Sequence, residues 1–363
     1  MSGPVMLPAR QFWISPPEST HWSFDVSQLN EPQWNEIFRD FHARFDKGLE
    51  YTIASPEYSK RREIFKRNAH MIYQHNLQQR THGSNDVSLA PNQFMDMDWP
   101  EFRSRHLQAV APDNMWYGSF PTDKRIDGSA VLSGVANRTL PDSFNWIDHQ
   151  CVTPVKNQQH CGSCWAFSST GSLEGAYCAQ TGRLVSLSEQ QLVDCARKEG
   201  TMGCSGGFMD NAYQYVIDNG GICTEEAYPY EGVDTHACRA SNCTASMVKV
   251  RGMMDLPAHD EKAMRAALVL YGPVAVAIEA DRPVFQFYHT GVMKLKCGKH
   301  LNHAVLAVGY GTDAKTGEHY WLVKNSWGDR WGDLGYIKLT RDHHRFSGEC
   351  GILLAPVVPL IDS

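Results

Sequence analysis

The sequence predicts an α+β fold in which helices come first and β-strands follow. Three observations support this prediction. Apolar residues recur at helical spacing over residues 31–79, further helical stretches lie between residues 163 and 219, and strand-like apolar runs dominate after about residue 248. The length of 363 residues corresponds to about two domains at roughly 150 residues each. Hydrophobic residues make up 42% and charged residues 20%, so a sizeable core can be buried.

The N-terminal segment is predicted to contain two helices. The first begins near Glu31, and its apolar positions at helical spacing are Trp34, Ile37, Phe38, Phe41 and Phe45. The second helix runs from about Pro56 to His75. The pattern then breaks over residues 83–139, where prolines, glycines and serines interrupt any periodicity. We predict a processing linker here, most exposed around Asp123 to Asn137.

The remaining residues are predicted to form a helical half followed by a β-rich half. The predicted helices are Ser163–Ala179, Ser188–Cys195 with Ser188 as N-cap, and Asp210–Asn219. The predicted strands are Val274–Ile278, Ala304–Val308 and Tyr320–Lys324. Because ligand sites commonly form between two such halves, we expect a functional cleft there.

Charge and cysteine content narrow the class of protein. The net charge of −6, the pI of about 6.2 and the lack of a basic run interleaved with aromatics argue against a nucleic-acid partner. No transmembrane stretch is visible in the sequence. The odd count of 11 cysteines suggests one unpaired thiol among disulfides, which persist in secretory or lysosome-like compartments. The stretch Met1–Asp25 lacks the apolar run of a signal peptide, and we expect truncation rather than unconventional targeting.

Three separated motifs carry the residue types of thiol catalysis. They are Gln158-Gln159-His160-Cys161-Gly162-Ser163-Cys164-Trp165, Asn302-His303-Ala304 and Asn325-Ser326-Trp327-Gly328. The histidine lies far downstream of the cysteine, and the asparagine follows the histidine. This order, with its local sequences, resembles the papain family of cysteine proteases, and more narrowly the cathepsin L-like branch, over most of residues 31–358.

The resemblance implies a papain-like two-lobe fold, with a helical N-terminal lobe and a β-barrel-like C-terminal lobe, and endopeptidase activity without a cofactor or metal. Cys164 would be the nucleophile, its thiolate favoured by a helix start and by a protonated His303. Asn325 would orient the imidazole, with Trp327 shielding that bond from water. The side chain of Gln158 and the backbone N–H of Cys164 would bind the oxyanion.

The resemblance also implies a substrate groove. Gly206 and Gly207 would let an extended substrate backbone approach closely. The other substrate-binding positions by resemblance are Phe208, Met209, Ala277, Asn302, Ala304, Trp327 and Trp331, with Leu301 and Ala355 less surely included. The specificity pocket among them is apolar, so we expect Leu, Phe or Val at the second residue before the cut.

Ten cysteines remain besides the proposed nucleophile. By resemblance, the disulfides are Cys161–Cys204, Cys195–Cys238 and Cys297–Cys350. The pairing of the other four, Cys151, Cys178, Cys223 and Cys243, stays open, and a zinc site is disfavoured because the spacings lack paired clusters.

The N-terminal segment resembles the inhibitory propeptide of cathepsin L-like precursors. The first motif has a spacing of three and four residues and consists of Glu57, Arg61, Phe65, Asn68, Ile72 and Asn76. The second motif contains Asn92, Phe94 and Asp96, with Ala90 where the family usually has glycine. We expect this segment to fill the cleft until acid protonates carboxylates such as Asp96 and cleavage occurs near Thr139-Leu140-Pro141.

These interpretations give a full domain plan. It comprises an N-terminal extension over residues 1–30, an inhibitory prodomain over 31–97, a linker over 98–138 and a peptidase domain over 139–363, with lobes of about 139–247 and 248–363. Expected partners are protein and peptide substrates, the propeptide itself and cystatin-like inhibitors, and we expect a monomer. The expected location is a lysosome- or vacuole-like compartment or the exterior of the cell.

One departure from the family pattern and two other functions stay open. Gln159 stands where the family usually has glycine, which puts the conformation of the oxyanion loop around Gln158 in doubt. The Cys161-x-x-Cys164 spacing also fits a thiol–disulfide oxidoreductase, although the thioredoxin-like βαβ context is absent from the surrounding sequence. A catalytically silent relative that binds or stores ligands is the third reading, which the intact Cys164 disfavours.

Overall fold

The computed structural model describes residues 8–13, 22–81, 87–107, 124–134, 139–243, 248–294, 297–341 and 346–362. Its helices are α1 Pro8–Phe12, α2 Glu31–Arg44, α3 Pro56–Thr81, α4 Trp99–His106, α5 Gly128–Ser133, α6 Cys164–Thr181, α7 Glu189–Cys195, α8 Met209–Asp218, α9 Glu261–Tyr271 and α10 Pro283–Gln286. Within the described part of the chain, no helix combines the length and apolar character needed to cross a membrane.

The strands are short and lie mostly in the second half of the chain. They are β1 Val87–Leu89, β2 Arg125–Asp127, β3 Phe144–Asn145, β4 Val250–Asp255, β5 Val274–Ile278, β6 Tyr288–Met293, β7 His303–Thr312, β8 His319–Lys324, β9 Tyr336–Thr340 and β10 Val357–Ile361. The mixed composition agrees with the predicted α+β class, in which helices precede the main strands.

The chain divides into two compact units. The first contains the described residues of Met1–Phe102, Arg282–Gly291 and Arg330–Asp333. The second contains the described residues of Arg103–Asp281, Val292–Asp329 and Leu334–Ser363.

The first unit is built on α2 and α3. Helix α2 begins with a capping box, in which the Asn30 side chain accepts from the Gln33 backbone N–H and the Gln33 side chain accepts from that of Asn30. The rings of Phe38 and Phe41 pack against Phe65 of α3, with centroids 5.4 and 5.0 Å away. Strand β1 pairs antiparallel with the part of β6 that belongs to this unit.

The second unit is organised around α6. All residues from Cys164 to Cys178 are buried, so this helix is a core element rather than an amphipathic surface helix. The helix ends at Thr181 and is capped by Gly182, whose φ of 73° is the left-handed conformation that glycine adopts easily. Helix α7 begins at the predicted N-cap, where the side chain of Ser188 accepts from the backbone N–H of Gln191.

The sheet of the second unit has the strand order β9-β8-β7-β5-β10-β4-β2, with β3 on β7. Most neighbours are antiparallel, and β2 on β4 is parallel. Every residue of β5 is buried, as its continuous apolar sequence predicts. Helix α6 packs against β7, the strand that begins at His303.

The stretch predicted to be the most exposed part of the linker, Asp123–Asn137, contains ordered structure in its central part, although Lys124, Ile126, Asp127 and Ser129 are exposed there as expected. Lys124 precedes β2, which pairs with β4, and Asp127 caps α5 by accepting from the backbone N–H of Ser129. Leu132 of α5 is 1% exposed. The order comes from pairing with a strand far along the chain, which no local sequence period reveals. Residues 123 and 135–137 of the predicted linker lie outside the described residues.

Candidate active site

Cys164 is the first residue of α6, next to the N-cap residue Ser163. It is fully buried, and it is the one cysteine outside a disulfide, since the structure describes all 11 cysteines. At this position its sulfur lies in the positive field of the helix N-terminus, which favours the thiolate. The next residue, Trp165, is held by a hydrogen bond of 3.2 Å from its Nε1 to the carbonyl of Gly203.

His303 and Asn325 form a buried pair. His303 opens β7, and Asn325 follows the last residue of β8. Nε2 of the imidazole lies 2.8 Å from Oδ1 of Asn325, which also accepts from the backbone N–H of Ser326 at 2.8 Å. Because Oδ1 can only accept, Nε2 carries the proton and Nδ1 is left as the basic nitrogen. Nδ1 has no hydrogen-bond partner among the described residues.

The indole of Trp327 covers this pair. Its ring stacks on the imidazole of His303 with centroids 4.6 Å apart and an interplanar angle of 23°. Both side chains are essentially excluded from solvent. An aromatic cover of this kind strengthens the bond between His303 and Asn325, because it removes competing water.

The packing of α6 on β7 brings the cysteine and histidine motifs to the same end of the unit. One turn after Cys164, the hydroxyl of Ser168 donates to the carbonyl of Val305 at 2.7 Å. Val305 follows closely after His303 in β7. Cys164 and Ala304 also belong to one buried cluster. Two motifs that lie far apart in the sequence are therefore carried by elements that pack against each other.

The loop before α6 carries Gln158, which is fully buried. Its Nε2 donates to the carbonyl of Cys161 at 3.0 Å, and its Oε1 accepts from the hydroxyl of Ser326 at 2.7 Å. Its backbone N–H donates to the carbonyl of Ser326 at 2.8 Å. One of the two Nε2 protons is thus committed to Cys161, and the amide cannot flip without losing two bonds.

Gln159 adopts the conformation that glycine would favour. Its φ is 55°, and its backbone N–H donates to Oδ1 of Asn157 at 2.9 Å. Left-handed φ is uncommon for a residue with a side chain, but it is tolerated when the surroundings hold it. Gln159 therefore takes the left-handed conformation in a loop where Gln158 is buried and hydrogen-bonded through both Nε2 and Oε1.

Two further residues hold Gln158: Tyr230, which the sequence did not single out, and Ser326, which belongs to the Asn325 motif. The hydroxyl of Tyr230 donates to the carbonyl of Gln158 at 2.8 Å and lies 2.7 Å from Oγ of Ser163. It therefore ties the loop that carries Gln158 to the start of α6. Tyr230 lies in an aperiodic Tyr-Pro-Tyr stretch that gives no sequence signal, whereas Ser326 adjoins Asn325 and the motif itself pointed to it.

Burial controls the charge of His303 in this structure. It lowers the pKa of the imidazole to about 4, although the hydrogen bond to Asn325 acts in the opposite direction. The imidazole is therefore neutral here at physiological pH. A thiolate–imidazolium pair requires that the site be opened or that the thiolate charge itself offset the desolvation.

A buried charge cluster lies behind the site. Lys156 Nζ donates to Glu189 at 2.7 Å and to Glu174 at 3.3 Å, while Lys324 Nζ donates to the carbonyl of Thr153 at 2.7 Å. These residues border a cavity of about 20 Å³, room for about one water, which Asn325 and Ser326 also line. Burial raises the pKa of Glu189, although Lys156 acts against this shift, and burial lowers the pKa of Lys324 to about 8.

Most residues predicted to bind substrate lie in the second unit. Gly206 has a φ of 121°, which requires glycine, and a Cβ on Gly207 would lie 2.7 Å from the ring of Trp165. The same buried cluster contains Phe208, Met209, Ala277, Ala304 and Ala355, with Leu301 packed against it. Asn302 uses its Oδ1 to accept from the backbone N–H of Ala280 at 2.9 Å.

Trp331 belongs to the first unit, whereas the other predicted site residues belong to the second. Its Nε1 donates to the carbonyl of Phe285 at 2.7 Å, and its ring packs against Tyr288. Its role in substrate binding stays a prediction.

Five disulfides use the other ten cysteines. The structure pairs Cys161 with Cys204, Cys195 with Cys238, and Cys297 with Cys350, as the resemblance implied. The four cysteines left open pair as Cys151–Cys178 and Cys223–Cys243. Because Cys161 is bound to Cys204, it does not form the Cys161–Cys164 bridge that an oxidoreductase would need.

The propeptide motif residues hold the first unit together. Arg61 pairs with Glu57 at 2.7 Å and with Glu101. The amides bind backbone carbonyls: Asn68 to Met95 and Met97, Asn76 to Trp22 and Leu89, and Asn92 to Gln286. Phe65 and Ile72 are fully buried, and Phe94 is 5% exposed. These residues act by fixing the fold of the segment.

Asp96 does not fit the predicted acid trigger. Its carboxylate accepts from the hydroxyl of Tyr51 at 2.8 Å and lies 3.4 Å from Nζ of Lys47. Burial nevertheless raises its pKa, and these two neighbours act against that shift. A carboxyl with a raised pKa binds its proton more tightly in the folded segment than in the unfolded one, so acid strengthens the fold at this residue.

Comparisons with known proteins agree with the resemblance seen in the sequence. A family profile described as papain family cysteine protease matches residues 140–360, and one described as cathepsin propeptide inhibitor domain (I29) matches residues 38–102. Cathepsin L1 of Drosophila melanogaster is 45% identical over 311 residues, which is 83% of this chain and 79% of that protein. The cathepsin L-like peptidase of Aedes aegypti is 41% identical over 347 residues, 92% of this chain and 94% of that protein.

Solved structures of proforms are similar as well. Digestive procathepsin L 3 from the larval midgut of Tenebrio molitor matches with a TM-score of 0.77 and 37% identity, over 90% of this chain and 99% of that chain. The ragweed pollen cysteine protease Amb a 11 in its proform matches with a TM-score of 0.80 and 34% identity, over 94% of this chain and 99% of that chain.

Proposed function

The chain belongs to the papain family of cysteine proteases and carries a cathepsin-type propeptide, and from this premise we propose that it is a self-inhibited endopeptidase in which Cys164 and His303 cleave peptide bonds. The observation that carries the proposal is the hydrogen bond between His303 and Asn325, with Nδ1 of the imidazole left for the thiol. The start of α6 supplies the cysteine at the same end of the unit.

The proposed reaction has two steps. The thiol of Cys164 gives its proton to Nδ1 of His303, and the thiolate attacks the carbonyl carbon of the substrate. The C–N bond breaks as the imidazolium protonates the leaving amine, which leaves a thioester on Cys164. Water then attacks the thioester carbon while His303 accepts its proton. The C–S bond breaks, which returns the thiolate of Cys164 and releases the carboxylic acid product. Asn325 keeps the ring aligned throughout.

The oxyanion formed in each step would be bound by Gln158 and the backbone of Cys164. One Nε2 proton of Gln158 is directed to Cys161, so the second proton is the one available for the oxyanion. The bond from Ser326 to Oε1 keeps that proton in a fixed direction. A fixed donor avoids reorganisation during the reaction, and loss of one such donor typically costs about 3 kcal/mol.

The specificity would come from the apolar cluster that begins at Phe208 and Met209. Ala277 and Ala304 face each other as paired residues of β5 and β7 and add small apolar surfaces. The positions predicted for this pocket hold no acidic side chain, so an arginine or lysine would lose its hydration without gaining a partner. We propose a preference for Leu, Phe or Val at the second residue before the cut.

Self-inhibition would involve the chain that follows the propeptide fold. Within the second unit, the buried ring of His106 lies 6.2 Å from that of Trp327 and 6.1 Å from that of His160. Nη1 of Arg105 lies 3.4 Å from Nδ1 of His160, and Arg103 pairs with Asp281 at 3.3 Å. Because this segment packs its His106 ring against Trp327, which covers His303, it would obstruct the approach of a substrate.

The wider context follows from the same assignment. We propose protein and peptide substrates and, as external regulators, inhibitors of the cystatin kind, with the enzyme acting as a monomer. Five disulfides favour an oxidising location such as a lysosome-like compartment or the cell exterior. The proposed mature domain begins near Leu140, where the papain family match begins.

The test compares the parent chain with Cys164→Ala after processing, using fluorogenic dipeptide substrates that differ only in the second residue before the cut. The variant is processed by added parent enzyme, so that folding and maturation are matched. We expect complete loss of hydrolysis in the variant and at least tenfold preference for Phe over Arg in the parent. Retained hydrolysis in the variant would overturn the nucleophile assignment, and a dominant Arg signal would overturn the pocket assignment.

A further inference from the structure

A short strand and helix upstream of the peptidase match fit closely onto the second unit. Strand β2 pairs in parallel with β4, with Arg125, Ile126 and Asp127 opposite Met253, Met254 and Asp255. The backbone N–H of Met253 donates to the carbonyl of Lys124 at 2.9 Å. The two elements therefore share a sheet and not merely a surface.

Arg125 is the main anchor of this segment. Its guanidinium donates to Oδ2 of Asp210 at 2.7 Å and makes two bonds to the carboxylate of Asp255, one of them 2.8 Å long. The side chains of Arg125 and Asp210 are only 10% and 11% exposed. Without Arg125, the neighbouring carboxylates of Asp210 and Asp255 would have lost the cation between them. Because Asp210 is buried, an unpaired charge there is strongly unfavourable.

The surface beneath the segment is shaped for it. A Cβ on Gly252 of β4 would overlap the carbonyl of Lys124, so a side chain there would exclude β2. A Cβ on Gly128 at the start of α5 would lie 2.6 Å from the carbonyl of Asp255. The close approach of the segment to β4 therefore depends on a glycine in each of them, Gly128 and Gly252. Leu132 of α5 is also buried.

The anchor reaches the proposed specificity pocket. Asp210 lies in the first turn of α8, directly after Phe208 and Met209. Burial raises the pKa of Asp210, and Arg125 is the cation that opposes this shift. An ion pair at this position therefore fixes the start of α8 and, through the backbone, the wall formed by Phe208 and Met209.

We propose that residues 124–134 are a permanent part of the catalytic domain, held in a peptide-docking site made by the edge of β4 with Asp210 and Asp255, and that Arg125 is a positioning residue for the specificity pocket. The segment would remain bound after maturation, whether it stays joined to the mature chain or is cut on both sides. This inference rests on the proposed peptidase function only for its effect on substrate binding.

The first experiment needs no variant. The full chain is allowed to mature at acidic pH, the folded product is isolated by gel filtration under native conditions, and its components are measured by mass spectrometry after denaturation. We expect residues 124–134 in the product, either at the N-terminus of the mature chain or as a separate peptide. A native, active product without them would overturn the inference.

The second experiment separates docking from activity. The experiment uses a chain inactivated by Cys164→Ser. Cleavage sites for a site-specific protease are inserted between Asp113 and Asn114 and between Ala136 and Asn137. After cleavage, native mass spectrometry measures how long the excised peptide stays bound. We expect Arg125→Ala to accelerate its loss at least tenfold, while Arg251→Ala, which removes an exposed arginine from β4, leaves it unchanged. Equal loss from the parent and from Arg125→Ala would overturn the docking site.

The third measurement addresses the pocket. In the active enzyme, we expect Arg125→Ala to raise KM at least fivefold for a substrate with Phe at the second position before the cut, with kcat nearly unchanged. Arg125→Ala combined with Asp210→Asn should recover part of the loss, because the buried charge is then removed. If residues 124–134 stayed bound but the matured parent chain hydrolysed no substrate, the proposed function would be overturned and the docking site would stand. If Arg125→Ala left KM unchanged, only the positioning role of Arg125 would be overturned.

Discussion

The hydroxyl of Ser326 donates to the side-chain oxygen of Gln158 at 2.7 Å, which joins the residue after Asn325 to the loop before α6. Asn325 in turn accepts from the backbone of Ser326 and binds His303. The proposed base, its orienting amide and the proposed oxyanion donor therefore form one continuous chain of hydrogen bonds. Such networks hold their members more rigidly than separate pairs would.

Substitution Ser326→Ala tests this chain. The amide of Gln158 would keep its bond to Cys161 but lose the bond that fixes its oxygen. We expect kcat to fall about fivefold with KM little changed, because a net hydrogen bond is worth about 1 kcal/mol and acts here on the transition state. Steady-state kinetics with one fluorogenic substrate measure it. Ser168→Ala, which removes a buried serine hydroxyl bound to the carbonyl of Val305, is the control for general loosening. A comparable fall in kcat there would deny Ser326 a specific role.

We call the state in which His303 is buried, as in this structure, the closed state. Its release should depend on pH through His303. Its pKa is about 4 in the closed structure and about 6.5 when exposed, so opening the site allows the imidazole to bind a proton. Because the pKa of His303 is lower in the closed state than in the open one, the neutral imidazole stabilises the closed state at pH values above about 6.5. This stabilisation is lost as pH falls from about 6.5 towards 4. The total effect is on the order of 3 kcal/mol.

The measurement is the rate at which a small thiol reagent labels Cys164 in the unprocessed chain. We expect the rate to rise steeply between pH 6.5 and 4, against the ordinary tendency of thiols to react more slowly in acid. His303→Phe should flatten the rise while keeping the ring stack with Trp327. A rise of equal size in that variant would assign the trigger to other groups.

Asp96 and His75 should respond to acid in opposite ways. Burial raises the pKa of Asp96 and lowers the pKa of His75, whose Nε2 lies 3.3 Å from the carbonyl of Val87. Acid therefore strengthens the first unit at Asp96 and weakens it at His75 as pH falls through the histidine's ordinary value near 6.5.

Amide hydrogen exchange of β1 can distinguish the two residues. In a Cys164→Ser background, we expect Asp96→Asn to leave the acid-induced loss of protection at Val87–Leu89 in place. His75→Gln should reduce that loss, because no proton can be bound there. If Asp96→Asn abolished the acid response, the carboxyl would have to be the trigger after all.

The charge cluster behind the site should be sensitive to loss of one partner. Lys156→Met removes the cation between Glu174 and Glu189, both nearly inaccessible to solvent. We expect the free energy of unfolding to fall by about 3 kcal/mol or more, because two buried carboxylates are left close together. Denaturant unfolding of the inactive chain measures it. The triple variant that also carries Glu174→Gln and Glu189→Gln should regain much of the loss, and failure to regain any would mean that the methionine itself disrupts packing.

The sequence correctly predicted the helices and strands that are determined by their own local residues. The N-cap at Ser188 and the core strand β5 were expected from capping and apolar patterns, and the structure contains both. The second propeptide helix was placed correctly at its start, but it continues to Thr81, well past the predicted His75. Residues 76–81 contain no proline or glycine, so nothing in their sequence required an end.

The features that could not be predicted depend on distant partners. Strand β2 is very short, and its order comes from β4 and from the ion pairs of Arg125. Tyr230 acquires its role only because Gln158 and Ser163 lie beside it in the fold. Gln159 could not be judged from the sequence either, because its left-handed φ of 55° is the conformation for which glycine would have been expected.

The pairing of β2 with β4 also affects how the enzyme should be produced. Among the described strands, β4 has β10 on one side and β2 on the other, so a recombinant chain that begins at residue 140 would leave a row of unsatisfied backbone groups along β4. Unprotected strand edges recruit strands from other molecules, and the bare carboxylates of Asp210 and Asp255 would be a weak deterrent. Such a shortened protein should be prone to aggregate on storage, and expression plasmids that start upstream of Lys124 should give the better-behaved product.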